Sequence, residues 1–266
     1  LHALILSAVA FEHRLYHRWL PAEKISLKAA KQLKRCKSWI PKTIPVDRLI
    51  FELENPPAAV LIIQNAVTRT VFVDRITLFS GHCLCLCGTN RSGILDLFQV
   101  MTGQMDPVSA DILMLPSNPG VISFKHQQAI YEAELKNDDT DFLDQLDPGT
   151  PARNFLPAAA LNSTLISAFD MTHCLDKGFR QLSTGQARKL LLLSHLTRGT
   201  DCLMLQAPFD GLDTASRNEL DQALYHLHRK NIGLILFVHN ICDIPEWCTL
   251  AGVVADHALH HLGPPD

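Results

Sequence analysis

Apolar residues gather in short runs divided by glycine, proline and polar turns, so strands and helices are expected in alternation. Residues 60–78 read as β-rich, with Val71, Phe72 and Val73 as strand residues and Ser80-Gly81 as the following turn. Cys83-Leu84-Cys85-Leu86-Cys87 reads as a buried strand. It runs into an octet, Gly88-Thr89-Asn90-Arg91-Ser92-Gly93-Ile94-Leu95, which opens a helix through Leu97, Phe98 and Val100 to Gly103. Apolar runs at 121–124, 202–205 and 234–238 predict further strands, and 187–196 predicts a helix.

Composition narrows the class. With 266 residues and 47% hydrophobic positions the chain is expected to be globular with a sizeable core. A net charge of −3 and 19% charged residues give no overall pull toward nucleic acid or an anionic membrane. Of the eight cysteines, Cys83, Cys85 and Cys87 share one strand face, a poor geometry for pairing with each other, so a reduced protein is expected. Leu1 to Ala10 is apolar, but far short of the roughly 20 residues of a membrane helix. It has no basic start and meets Glu12, His13 and Arg14, which does not match a signal peptide; without an initiator Met, a fragment is expected. Lys24, Lys28, Lys31, Lys34, Arg35 and Lys37, interleaved with Ile25, Leu27 and Leu33, read as the solvated face of a basic helix. Pro41, Pro45, Pro56 and Pro57 then mark a linker, so residues 1–57 are assigned as an extension before the domain.

The glycine octet has the outline of a phosphate loop. Such a loop curls backbone N–H groups around phosphate oxygens, extends a lysine to the β- and γ-phosphates and holds Mg²⁺ through a Ser or Thr hydroxyl. Gly88 and Gly93 meet the pattern, with Thr89, Asn90, Arg91 and Ser92 between them. Ile94 stands at the lysine's place and Leu95 at the hydroxyl's. The helix N-terminus behind the loop still favours an anion.

Two more motifs follow. Leu182-Ser183-Thr184-Gly185-Gln186 precedes the helix expected over 187–196, and Ser183 is suited to cap it. Downstream, an apolar strand ends in Gln206-Ala207 and continues Pro208-Phe209-Asp210-Gly211-Leu212-Asp213, while His239 closes the strand at 234–238. In this order and spacing, residues from about 58 to 256 resemble an ABC-type ATPase nucleotide-binding domain. LSTGQARKLLL, APFDGLDTASRNEL and HNICDIPEW carry a closer likeness to the first domain of tandem molybdenum-transport or photorepair ABC proteins.

The resemblance implies an α/β fold over 58–262. It has a P-loop NTPase core with a mostly parallel sheet, a small antiparallel β region at its start and an inserted helical subdomain at about 127–181. Where the family's Walker B strand ends in Asp-Glu, to place Mg²⁺ and polarise the attacking water, this chain has Gln206-Ala207. With the Walker A lysine and hydroxyl also replaced, hydrolysis at its own loop is expected to be negligible. The family's signature turn contacts the γ-phosphate held by the opposite subunit, and here Leu182, Ser183, Thr184, Gly185 and Gln186 preserve it. His239 takes the position of the switch histidine, and Asp213 lies in the tail that crosses the dimer interface. The glutamine that senses Mg²⁺ and water aligns with His126, one and two residues before Gln127 and Gln128. Phe72 is the one aromatic available to stack on adenine.

These residues point to a degenerate ABC-family ATP-binding protein, the non-hydrolysing half of an asymmetric pair whose LSTGQ turn serves a partner's ATP site. Two alternatives stand beside it: a nucleotide-free structural or interaction module with an ABC fold, and an active ATP-binding subunit of a molybdate-type ABC transporter. The expected cofactor is ATP, bound weakly or through the partner's site, while Mg²⁺ lacks its usual ligands. Expected partners are a second ABC nucleotide-binding domain in tandem or in trans and, as a further class, membrane transport subunits; nucleic acid is not expected. The expected location is the cytoplasm, including the periphery of the inner membrane. Asp138, Asp139, Asp141, Asp144 and Asp147 lack the residue order of a calcium loop and read as a solvated loop. His257, His260 and His261, beside Asp256, could share a helical face in part, but with no third ligand fixed they read as a frayed tail.

Overall fold

The computed structural model describes residues 58–136, 147–161 and 163–264. The extension at 1–57 and the carboxylates Asp138, Asp139, Asp141 and Asp144 lie outside those residues. The elements run β1 (Ala59–Val67), β2 (Phe72–Phe79), β3 (Cys83–Gly88), α1 (Ile94–Met101), β4 (Ile112–Met114), β5 (Pro119–Ile122) and α2 (Phe124–Lys136). They continue with α3 (Thr164–Ala168), α4 (Thr184–Leu196), β6 (Cys202–Gln206), α5 (Thr214–His228), β7 (Gly233–Val238), β8 (Leu250–Ala255) and β9 (Ala258–Gly263).

These strands join in one nine-stranded sheet, ordered β4-β1-β2-β9-β8-β3-β7-β6-β5. From β8 to β5 all neighbours are parallel. β1 pairs antiparallel with β2 and with β4, which gives the antiparallel region expected at the start. The α/β fold with a mostly parallel sheet is therefore present. Because β3, β6 and β7 run parallel and adjacent in that part of the sheet, the turns after Gly88, Gln206 and Val238 leave from the same edge. Ligands of open α/β sheets bind outside such carboxyl ends.

Alternation along β3 divides the interior. Cys83, Cys85 and Cys87 face one apolar cluster, while Leu84 and Leu86 face the other, so the strand is buried on both sides. The cysteines of the described residues are free thiols. Burial raises the Cys87 thiol and pushes Cys202 up to about 12, which keeps both protonated near neutrality.

Helix α4 begins at Thr184, three residues before the start expected from the sequence, because Ser183 and Gln186 form a capping box. Its Leu190, Leu191, Leu192 and Leu193 are all buried, so the helix is covered around its whole circumference rather than along one stripe. Truncating Leu192→Ala in this filled site is expected to cost about 2–5 kcal/mol, read as a lowered urea midpoint at unchanged m-value.

The end of the domain departs from expectation. The histidine-rich stretch read as a frayed tail is strand β9, paired along β8 and bonded to β2 at Phe72 and Ala258. His257 sits in the two-residue turn before β9, so it shares no helical face with His261. Among the described residues no group of three or more His, Cys, Asp or Glu is placed to hold a metal ion, and no helix is long and apolar enough to cross a membrane. Asp147 caps a local turn by accepting from the Gly149 N–H at 2.9 Å.

Candidate functional site

The glycine loop bridges β3 and α1. Gly93 is the N-cap of α1 and has φ +88°, and a Cβ there would stand 2.3 Å from Val71 Cγ2, so glycine is required on both counts. Ser92 donates its hydroxyl to the Thr89 carbonyl at 2.8 Å. Thr89, Asn90 and Arg91 are exposed, and Arg91 makes no hydrogen bond or ion pair with another described residue. The first N–H groups of α1 extend toward the loop, as at any helix start.

Ile94, at the lysine position, is only 4% exposed and packs with Val71, Leu84, Leu97 and Val254. Leu95, at the hydroxyl position, is 45% exposed. Across the sheet edge, Gln206 ends β6 beside Phe237, and Ala207 turns the chain with φ +46°, its N–H donating to the Phe237 carbonyl at 2.8 Å. The chain thus turns sharply at the end of β6, with an uncharged amide and an alanine at the turn. Such a left-handed alanine costs about 1–2 kcal/mol and is held by that bond.

These side chains do not fit Mg²⁺. The cation needs hard oxygen ligands, and the expected ones are a leucine side chain, an alanine and an uncharged amide, while the Ser92 hydroxyl is engaged inside its own loop.

His239 lies where β7 ends, with Nδ1 3.1 Å from the Gly88 carbonyl oxygen. Because that oxygen only accepts, Nδ1 carries the proton, and Nε2 is left for another partner. The loop, His239, Asn240, Ile241, the end of β8 and the β8–β9 turn enclose a cleft of about 630 Å³. Phe72, the candidate for stacking on adenine, is the first residue of β2 and does not line this cleft.

The signature turn forms a second centre. Ser183 Oγ accepts from the Gln186 N–H at 3.2 Å, and Gln186 Oε1 accepts from the Ser183 N–H at 3.1 Å. Capping leaves the Ser183 O–H proton unused, and the Thr184 and Gly185 N–H groups have no partner among the described residues. The Ser183 hydroxyl and the Thr184 N–H are exposed at the positive end of a 13-residue helix, and the Gly185 N–H belongs to a buried residue behind them. Leu182 is half-buried and packs against the core cluster. Gly185 permits close packing on the next helix: a Cβ there would lie 3.2 Å from Ser216 Cβ.

Asp213 caps α5, accepting from the Ser216 N–H at 2.8 Å and from its hydroxyl at 3.1 Å. Those bonds hold its carboxyl below the usual range. The N-termini of α4 and α5 therefore stand side by side.

Several contacts here were not foreseen from the sequence. Arg188 is buried and donates Nη1 to the Pro208 carbonyl at 2.6 Å, which ties the signature helix to the segment after β6. Burial lowers its pKa, against the attraction of Asp210. Lys189 pairs with Glu219 at 2.9 Å, and Arg217 bonds Asp243 at 2.5 Å while its guanidinium lies 4.8 Å from the Phe209 ring centre. Two cations inside LSTGQARKLLL, a stretch otherwise expected to be buried, were the available signal. Arg188→Leu leaves the Pro208 carbonyl unpartnered, with an expected loss of about 1–3 kcal/mol measurable by chemical denaturation.

His126, assigned to the sensing-glutamine position, lies in the first turn of α2, where its N–H bonds Ser123 Oγ at 3.1 Å. Gln127 instead reaches the signature turn, with Nε2 3.5 Å from the Thr184 carbonyl and Oε1 buried without a partner.

Protein-family models give no match to this chain. The ABC transporter ATP-binding protein ModF of Escherichia coli (strain K12) is 32% identical over 202 residues, covering 74% of this chain and 41% of that protein. This chain therefore spans less than half of ModF. The hemin import ATP-binding protein HmuV of Bordetella pertussis is 26% identical over 207 residues, 71% of this chain and 79% of that protein. Among solved structures, cbiO1 of Clostridium perfringens, part of the ABC transporter complex cbiONQ, matches with a TM-score of 0.60. It is 19% identical and covers 78% of this chain and 89% of that one.

Proposed function

Because the described domain is an ABC ATPase domain in fold, we propose that it is the non-hydrolysing half of an asymmetric ABC pair and lends its signature turn to a partner's ATP site. The carrying observation is an imbalance between two centres. Ile94, Leu95, Gln206 and Ala207 leave its own loop without ammonium, metal ligands or general base, while the exposed Ser183 and Thr184 still offer an unused hydroxyl proton and a backbone N–H at a helix N-terminus. Two identical copies would join two incompetent loops, so the fitting partner is a different ABC domain with an intact lysine, hydroxyl and Asp-Glu pair. That domain is supplied in tandem or as a separate chain.

In this reading ATP is the shared ligand, and hydrolysis takes place on the partner's loop. Membrane transport subunits are a further partner class, placing the pair in the cytoplasm or at the inner membrane's periphery. The test is phosphate release by a partner domain whose own signature is disabled, measured with and without this chain. Stimulation supports the reading, and a stable complex without stimulation would replace it by a structural module. The capping box favours that second reading, since it gives Ser183 and Gln186 a purely structural use.

A further inference from the structure

A second cavity lies away from the glycine loop, where the end of α3 meets α4 and α5. It encloses about 310 Å³ and shares no residue with the larger cleft. That volume stands at the lower end of the roughly 300–1,000 Å³ of small-ligand pockets. Phe169 and Ala223 are buried apolar members of its lining.

Its charged groups are of both signs. The Lys189 side chain is only 6% exposed, and its Nζ donates to Glu219 Oε2 at 2.9 Å. An ammonium has three donors, and among the described residues Glu219 is the one acceptor that this ammonium meets. Two N–H groups of a buried charge are thus left for a partner other than the chain, and leaving them unbonded is costly. The Glu219 side chain is 56% exposed, and its Oε1 has no bond to the described residues. Gln222 and His226 follow Glu219 at i+3 and i+7, on the same face of α5. Asp170, the residue after the C-cap of α3, adds a second carboxylate to the lining.

These charges discriminate among ligands. A phosphate would satisfy Lys189 but meet repulsion from Glu219 and Asp170. A bare divalent cation has no group of three His, Cys, Asp or Glu placed to hold it among the described residues, and it would stand beside an ammonium. An apolar ligand would leave the Lys189 donors unbonded. We infer that this cavity binds a free α-amino acid, with its carboxylate on the spare Lys189 donors and its ammonium on Glu219 Oε1. The four charges then alternate in sign, and each new contact is a charge-assisted hydrogen bond. Gln222, able to donate and to accept, is the neutral polar member of the lining. So bound, the amino acid ties α4, the helix behind the signature turn, to α5.

Melting temperature of the full chain, read with each standard L-amino acid in turn at about 10 mM, gives the first test. At least one is expected to raise it by binding the folded state. Calorimetry then compares that amino acid with its C-terminal amide, its N-acetyl form and inorganic phosphate. The amide and the N-acetyl form each lack one charge and should bind about tenfold or more weakly, the loss of one charge-assisted hydrogen bond. Glu219→Gln keeps an oxygen for Lys189 on an exposed side chain, so the fold is retained. That variant should weaken the amino acid by about tenfold as well. No rise with any amino acid overturns the inference. So does binding that survives Glu219→Gln or N-acetylation intact, and so does phosphate bound as tightly as the amino acid. Phosphate release by a partner domain is read separately, so failure here leaves the signature-donor reading untouched.

Discussion

Ser183→Asp is expected to leave the chain folded and to abolish its effect on a partner's ATP hydrolysis. Asp caps helices as well as Ser does, and its charge is favourable at a helix N-terminus, so α4 and the packing behind it are retained. What changes is the face offered to the partner. A hydroxyl able to donate becomes a carboxylate that repels the γ-phosphate. Removing one well-placed donor to a charged transition state costs about 10²–10³ in rate, and an added like charge costs at least as much. Ser183→Gly separates the roles from the other side. It removes the hydroxyl at a capping cost of only a few tenths of a kcal/mol, so its partner's rate should fall while its own stability barely moves. A rate unchanged in both variants means that Ser183 serves only as the cap of α4.

The second large effect is one that repair does not produce. Alone with Mg·ATP, the chain is expected to release phosphate at background, about 10³-fold or more below an ABC domain with all four groups in place. Restoring the carboxylates in Gln206→Asp with Ala207→Glu should leave the rate at background, because Ile94 and Leu95 are still hydrocarbon. Adding Ile94→Lys drives an ammonium into a position 4% exposed among Val71, Leu84 and Val254. Its desolvation costs several kcal/mol, so that variant should melt early rather than turn over. In the proposed reading, core packing at Ile94 is what keeps a lysine out of the loop. Appreciable hydrolysis by the wild-type chain, purified free of other ATPases, would contradict this.

The strands and turns that carry the candidate site were legible in the sequence because its motifs are local. A phosphate-loop outline, a signature turn and a histidine after an apolar strand each need only a few consecutive residues, and a parallel sheet carries them to one edge. The buried strand β3 was legible too, since an unbroken Cys and Leu run leaves no solvent face. Harder to read was anything set by pairing. β9 sets two histidines among Ala258, Leu259 and Leu262, and its strand identity comes from hydrogen bonds to β8 rather than from periodicity. The His257 ring bonds the carbonyl of Thr70, 187 positions away. Gln127, not His126, reaches the signature turn, because α2 begins at Phe124 and sets which residues face it. Helix α4 started early for a local reason, the Ser183–Gln186 capping box, which the pentapeptide already spelled out.

The most direct measurement is the number of ADP molecules trapped with vanadate per pair when this chain and a competent partner domain turn over labelled ATP together. One ADP per pair, lost with Ser183→Asp and lost when the partner's loop lysine is removed, is the predicted result. Two per pair would show that the loop from Gly88 to Leu95 also hydrolyses ATP, and none would show that the turn from Leu182 to Gln186 completes no site.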